Sequence, residues 1–257
     1  MFQELKNTIL LWRIWGIATI YQIVLQYRRT YLGTIWLAAG LVMIVGAKSF
    51  LFAGVLNVPT ERIIPNIAIG LLLWRYFSGS LSASCNSLLI FKPYFESNYY
   101  PLFVPIFRVI VNQTFIFFHG LIPMLIISFY FYIPGPETIL YLIGGLILSF
   151  FTILPLGFLV ALISTRYRDF TAFFQSSMRI VYFMTPVIWL PEMAKGKYEL
   201  VLLLNPFFHL IEIIRDPLLG QPIDPQNWLI VFGIGVIGWL LVAYSYRQHA
   251  RRILVWL

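Results

Sequence analysis

Apolar and polar positions in this chain are gathered into blocks. Six apolar runs, at 34–54, 63–87, 106–132, 138–163, 171–190 and 228–246, are separated by clusters of Pro, Gly, Asn and charged residues. Each is close to the roughly 20 residues an α-helix needs to cross a 30 Å hydrocarbon core, so each predicts a transmembrane helix. A different pattern precedes the first run. Residues 5–27 are apolar with a narrow polar stripe at Thr19, Gln22, Gln26 and Arg29, spaced three and four apart. That spacing predicts an N-terminal amphipathic helix lying in the interface, with Trp12 and Trp15 at headgroup level. As a span, the same stretch would place Arg13 inside the bilayer. A third pattern occupies 191–225, where short apolar pieces are broken by Pro, Gly, Lys and acids and no clean span forms.

The reading is therefore an all-α, polytopic membrane protein with six transmembrane helices in one domain, 1–257. Residues 1–33 hold the interface helix, 34–190 hold spans one to five, 191–225 form the broken segment, and 226–257 hold the sixth span and a tail. Composition agrees. Of 257 residues, 60% are hydrophobic and 11% charged, against about 25% charged in a soluble domain, and mean hydropathy is +0.83. Spans and connections use up the length, leaving none for a separate soluble domain. Residues 1–33 lack the short apolar core and small-residue cleavage site of a signal peptide, so the mature chain is expected to begin at Met1. Cys85 is the single cysteine, which excludes an internal disulfide and leaves the compartment unread.

The net charge of +8 raises nucleic acid as a partner, but the charges are distributed among spans and the positive-inside rule explains them better. The N-terminal segment, the connection at Lys92, the turn at 166–170 and the tail hold ten Lys/Arg against Glu4, Glu96 and Asp169. The opposite side holds Arg62, Lys195, Lys197 and Arg215 against seven acids. Both termini are thus expected on the cytoplasmic side, with 191–225 facing outward.

Enzyme signatures are missing. His119, His209 and His249 lie far apart with no H-E-x-x-H, no paired acids sit in a cytoplasmic connection, and no G-x-x-x-x-G-K-[ST] occurs. A zinc site, a Mg²⁺-dependent transferase site and a P-loop are all unsupported. No catalytic or metal-binding residue is assigned, and a transporter is expected. Arg75 and Arg179 fall within apolar runs, where each costs on the order of 2.5–3.5 kcal/mol. Either each finds a partner in the bundle or each faces a watery conduit; no acid lies at comparable depth on the predicted spans. A conduit lined by such arginines suits an anionic substrate. Lys48 and Arg108 lie nearer span ends and are expected to snorkel. Trp74, Tyr76 and Tyr182 neighbour the buried arginines and would offer flat faces to sugar rings. Arg28 and Arg29, and the aromatic-rich connection at 91–101 with Lys92, Tyr94, Phe95, Tyr99 and Tyr100, are candidate partner-docking positions; positive-inside anchoring accounts for the basic residues but less well for the aromatics.

These features converge on a family resemblance. Tyr27-Arg28-Arg29-Thr30-Tyr31-Leu32-Gly33-Thr34-Ile35-Trp36 and Gly70-Leu71-Leu72-Leu73-Trp74-Arg75-Tyr76-Phe77-Ser78 resemble the entries to the first and second spans of type-2 ABC exporter membrane subunits, in the polysaccharide and polyol-phosphate branch. Arg166-Tyr167-Arg168-Asp169-Phe170, Thr185-Pro186-Val187-Ile188-Trp189 and Asn205-Pro206-Phe207 continue the set in order. The family's short K-x-x-F-P connection has two counterparts here, at Lys92 and at Tyr99-Tyr100-Pro101. The resemblance implies a homodimer forming a continuous channel in the bacterial inner membrane. It also implies two copies of a separate P-loop ATPase that bind ATP and Mg²⁺, with no cofactor in this chain. It implies ATPase contacts at Arg28, Arg29 and 91–101. The segment from Pro191 through Asn205, Pro206 and Phe207 would form short re-entrant helices at the outer mouth. The implied substrate is a lipid-linked polymer such as O-antigen, capsule or teichoic acid. A drug or small-lipid exporter of the same superfamily, and an integral membrane glycosyl or phosphoglycosyl transferase, are the alternatives.

Overall fold

Runs this apolar, with no water to satisfy their backbone, fold as helices. The computed structural model describes residues 1–28, 35–97, 100–133, 135–194, 196 and 198–257, and no strand occurs among them. In chain order the helices are α1 (Phe2–Leu10), α2 (Trp12–Tyr27), α3 (Ile35–Leu56), α4 (Thr60–Ser84), α5 (Ser87–Ser97), α6 (Val104–Phe131) and α7 (Glu137–Arg166). They continue as α8 (Asp169–Met184), α9 (Glu199–Leu203), α10 (Pro206–Leu218) and α11 (Pro225–Trp256), with a 3₁₀ turn at Pro191–Ala194.

Among the described residues, four helices are long and apolar enough to cross a membrane: Ala38–Leu56, Val104–Phe131, Glu137–Arg166 and Pro225–Ala250. They correspond to the first, third, fourth and sixth expected spans. The stretch expected as the second span is α4, which has 25 residues and so the length, but carries Asn66, Arg75 and a run of serines. Its position explains this. α4 packs against α3, α6, α7, α8 and α10, and from Ile63 to Phe77 nearly every side chain is buried. A helix shielded by protein on most sides need not be apolar enough for lipid. Small residues let its neighbours close in: a Cβ on Gly157 of α7 would lie 2.9 Å from Ser84 Oγ.

The expected fifth span also takes a different form. α8 has 16 residues, about 24 Å at 1.5 Å per residue, and ends where Thr185 turns extended ahead of Pro186, as a residue before proline tends to. The irregular stretch 185–190 that follows is largely buried. Irregular backbone is tolerated at that depth only where protein satisfies it. Here Arg215 Nη1 donates to the Pro186 carbonyl at 2.5 Å and Asn66 Nδ2 to the Trp189 carbonyl at 3.3 Å.

Two helices, bent by 55°, replace the single interface helix expected over 5–27. Trp15 Nε1 pins the bend by donating to the Thr8 carbonyl at 2.8 Å. α1 is amphipathic, but the stripe of α2 turns toward protein. Thr19 is buried, and Gln22 Oε1 accepts from Arg108 of α6 at 2.9 Å. Ile17, Ile20 and Tyr21 are left exposed on the other side, and Trp12 is exposed beside the bend. The spacing located the stripe correctly; a protein neighbour, with hydrogen bonds to offer, took the place expected for water. Arg29 and Thr34 lie outside the described residues.

The bundle has two unlike ends. At one, Lys92 of α5 donates to the Leu257 carbonyl at 2.7 Å, Glu4 accepts from the Leu102 amide at 3.0 Å, and the Arg166 guanidinium lies 5.1 Å from the Trp256 ring centroid. At the other, the start of α4, the end of α6, the 3₁₀ turn, α10 and the start of α11 surround a polar cavity of about 670 Å³.

Candidate functional site: a cationic groove between four helices

Arg75, Ser78, Gly79 and Ser82 recur at three and four residues along α4 and therefore share one face. That face is left open in the otherwise buried middle of α4. With Ile44 and Lys48 of α3, Gln113 of α6 and Met178, Arg179, Tyr182 and Phe183 of α8, it lines an open groove of about 770 Å³. Arg75 is exposed into it although the residues on either side, Trp74 and Tyr76, are buried. Arg179 is likewise exposed, its guanidinium donating to Ser176 Oγ at 3.1 Å. Among the described residues no acid lines the groove and no ion pair engages Arg75, Arg179 or Lys48.

Four of the five conduit residues read from the sequence thus share one groove: Arg75, Arg179, Trp74 and Tyr182. Tyr76 points elsewhere. One residue on, it is rotated about 100° around the helix, where its hydroxyl meets Thr114 Oγ1 at 3.2 Å and its ring packs on Phe117. It lines a smaller neighbouring cavity of about 240 Å³, which Arg75 and Gln113 also reach. Lys48 departs from its expected role. Instead of snorkelling toward a span end, it reaches across the groove, where its ammonium donates to Tyr182 Oη and lies 4.4 Å from that ring's centroid. Its position four residues after Ile44, on a helix facing two arginine-bearing runs, was the available signal.

An aromatic row leads away from the groove. The Tyr182 ring meets Trp74 with centroids 5.4 Å apart, and Trp74 meets Phe207 at 5.2 Å. Phe207 opens α10, whose start the sequence specifies plainly. Asn205 is its N-cap, accepting from the Phe207 amide at 3.0 Å, and Pro206 follows at the first helical position, where a missing N–H is harmless. Asn205 Nδ2 also donates to Thr185 Oγ1 at 2.8 Å, tying α10 to the end of α8. Pro191 opens the 3₁₀ turn nearby.

α10 holds a feature that sequence reasoning missed. Arg215 and Glu212 form an ion pair with side chains only 2% and 4% exposed. A Cβ on Gly70 of α4 would lie 3.3 Å from Arg215 Nη1 and 3.2 Å from the Val187 carbonyl, so only glycine admits the arginine without displacing neighbours. Opposite charges three apart in an otherwise apolar run were the signal. Burial and the adjacent Glu212 push the Asp216 carboxyl well above the usual carboxylate range.

The docking candidates gather at the opposite end. Residues 87–97, expected in part as a turn-rich connection, form α5. On it Phe91 stacks on Tyr94 with centroids 4.6 Å apart and meets Phe95 and Tyr100 edge-on. These ring contacts, with the Lys92 bonds, hold a helix despite Pro93. Tyr94 remains 48% exposed. Arg28 is exposed at the end of α2; Arg29 and Tyr99 lie outside the described residues. Among the described residues no group of His, Cys, Asp and Glu is placed to hold a metal ion.

No family model matches the chain. Among curated proteins it is similar to two O-antigen export system permease proteins RfbA of Klebsiella pneumoniae, at 24% and 22% identity, with 82% of this chain and 82% of each relative covered. Both are named as transport permeases. They agree with the resemblance to type-2 ABC exporter membrane subunits that the motifs carry.

Proposed function

We propose that this chain is the membrane-spanning subunit of an ATP-driven exporter that moves a lipid-linked polysaccharide outward across the bacterial cytoplasmic membrane. The observation that carries the reading is the groove, in which three cations without an acid stand beside Trp74 and Tyr182. Cations at that depth suit phosphate or carboxylate groups, and the aromatic faces suit sugar rings. The names of the two relatives support a polymer of the O-antigen kind; capsule and teichoic acid share its chemistry.

In this reading α4, and α8 with its buried turn, serve as the second and fifth spans. Six crossings then put both termini on the cytoplasmic side, where most Lys and Arg lie. α10 has 13 residues, about 20 Å, and with α9 acts as a re-entrant lid at the outer mouth. Two copies of the chain form a continuous channel. Two copies of a P-loop ATPase, which bind ATP and Mg²⁺, dock on α5 and near Arg28 and Arg29. The chain itself is a permease with no catalytic residues of its own.

Purification and mutation test this. The chain should co-purify with a P-loop ATPase whose turnover depends on it; turnover by the chain alone on a lipid-linked sugar would mark a transferase instead. Arg75→Ala should assemble normally and lower the export rate roughly tenfold, the loss of one charge-assisted contact. Full-rate export by that variant would sink the role given to Arg75.

A further inference from the structure

Among the described residues, Lys48 is the cation of the groove that is bonded to a side chain of another helix. Arg75 has no charged partner among the described residues and Arg179 bonds a serine hydroxyl of its own helix, whereas the Lys48 ammonium spans from α3 to α8, where it donates to the Tyr182 hydroxyl with the ring centroid 4.4 Å away. A phenol oxygen is a neutral acceptor, and a bond to it is worth less than one to an anion. Apolar side chains, Ile44, Leu71, Met178 and Phe183, line the same groove. Its lining therefore matches an amphiphile with an anionic head. A phosphoryl group fits better than a carboxylate, because it offers several oxygens and up to two charges to a lysine and two arginine forks.

We propose that Lys48 and Tyr182 form a clasp across the groove, which the phosphoryl group of a phosphate-bearing lipid opens by drawing Lys48 off Tyr182. Lys48 is then the residue that separates phosphorylated from uncharged amphiphiles. The proposal rests on the reading of the groove as the substrate path and adds to it the identity of the group that enters. Tyr182 is a positioning residue: its hydroxyl competes with the ligand for Lys48, while its ring stays on Trp74.

Competition makes the two substitutions act in opposite directions. The full chain in phosphate-free maltoside micelles is titrated with farnesyl phosphate, with farnesol, and with inorganic phosphate, and dissociation constants are read by calorimetry. Farnesyl phosphate is expected to bind, farnesol to bind far more weakly, and inorganic phosphate to bind about tenfold or more below farnesyl phosphate for want of an apolar chain. Lys48→Met should weaken farnesyl phosphate by about tenfold, the loss of one charge-assisted bond. Tyr182→Phe, which keeps the ring and frees Lys48, should tighten it by about threefold to tenfold. A merely structural pair would give weaker binding in both variants or in neither.

Unchanged binding in Lys48→Met, or weakened binding in Tyr182→Phe, overturns the clasp. If Arg75→Ala still loses affinity in that case, the groove reading stands without it. Equal binding of farnesyl phosphate and farnesol by the wild type overturns both. Inorganic phosphate binding as tightly as farnesyl phosphate overturns the lipid as the source of the phosphoryl group. Should Lys48→Met fail to fold, the sign of the Tyr182→Phe change decides alone.

Discussion

Arg215 and Glu212 place two charges almost wholly inside protein, and their worth lies in what happens when one is removed. Stripping one partner from a buried pair leaves an uncompensated charge, at about 3–5 kcal/mol. Arg215→Ala should therefore cause a large drop in the thermal midpoint of the purified protein, and Glu212→Gln a similar one. Restoration of the midpoint in the double variant, relative to either single one, checks that the pair is the cause. Asp216, beside them on α10 and outside the four long apolar helices, gives a pH dependence. Its folded pKa is raised above the ordinary 3.8 by burial and by Glu212, so the folded chain holds a proton that the unfolded chain releases. Folded stability from this group then falls as pH rises from the ordinary value toward the raised one. Asp216→Asn mimics the neutral carboxyl, so it should remove that fall, and melting curves at pH 6 and pH 9 should lie closer together than in the wild type. Sequence reasoning found Arg75 and Arg179 because a charge inside an apolar run is conspicuous. It sent Lys48, whose long side chain has two outlets, toward a span end, and passed over Arg215, whose segment was too broken to be read as one helix.

At the scale of elements, α3, α6, α7 and α11 were legible because lipid contact demands an apolar surface all along them. α4 and α8 were legible as helices but not in their limits, since protein neighbours relieve the demand that hydropathy measures. α5 was hidden by Pro93 and its aromatics, which suggest a turn until ring packing supplies the compensating contacts. The junction between α8 and α10 ties together two elements near the polar cavity. Asn205 caps α10 and holds Thr185 at once. Asn205→Ala should lose about 0.5–2 kcal/mol from the cap alone, and should raise amide exchange over 207–210 more than over α7. Exchange unchanged at 207–210 would show the cap to be dispensable. Gly157→Val tests a close helix contact: its Cβ would meet Ser84 Oγ at 2.9 Å, and overpacking of this kind typically lowers stability by about 1–3 kcal/mol.

For the whole molecule, the architecture reads as a central helix whose middle is sheathed by its neighbours except along a cationic face, with a polar cavity lined in part by α10 at one end and an aromatic helix at the other. Cations on an open face at membrane depth are tolerated where water or an anionic partner reaches them, and the aromatic row from Tyr182 through Trp74 to Phe207 joins that face to α10. The general class was legible from composition and block pattern. The joining of Lys48 to Arg75 and Arg179 was not, because it brings together three helices far apart in sequence. The central claim, outward export of a lipid-linked polysaccharide, is tested most directly by following that glycan in cells lacking this protein. The account predicts that surface polymer disappears while the lipid-linked glycan accumulates on the cytoplasmic side, and that wild type restores export where Arg75→Ala does so poorly. Undiminished surface polymer in the deletion, with no glycan held inside, would contradict it.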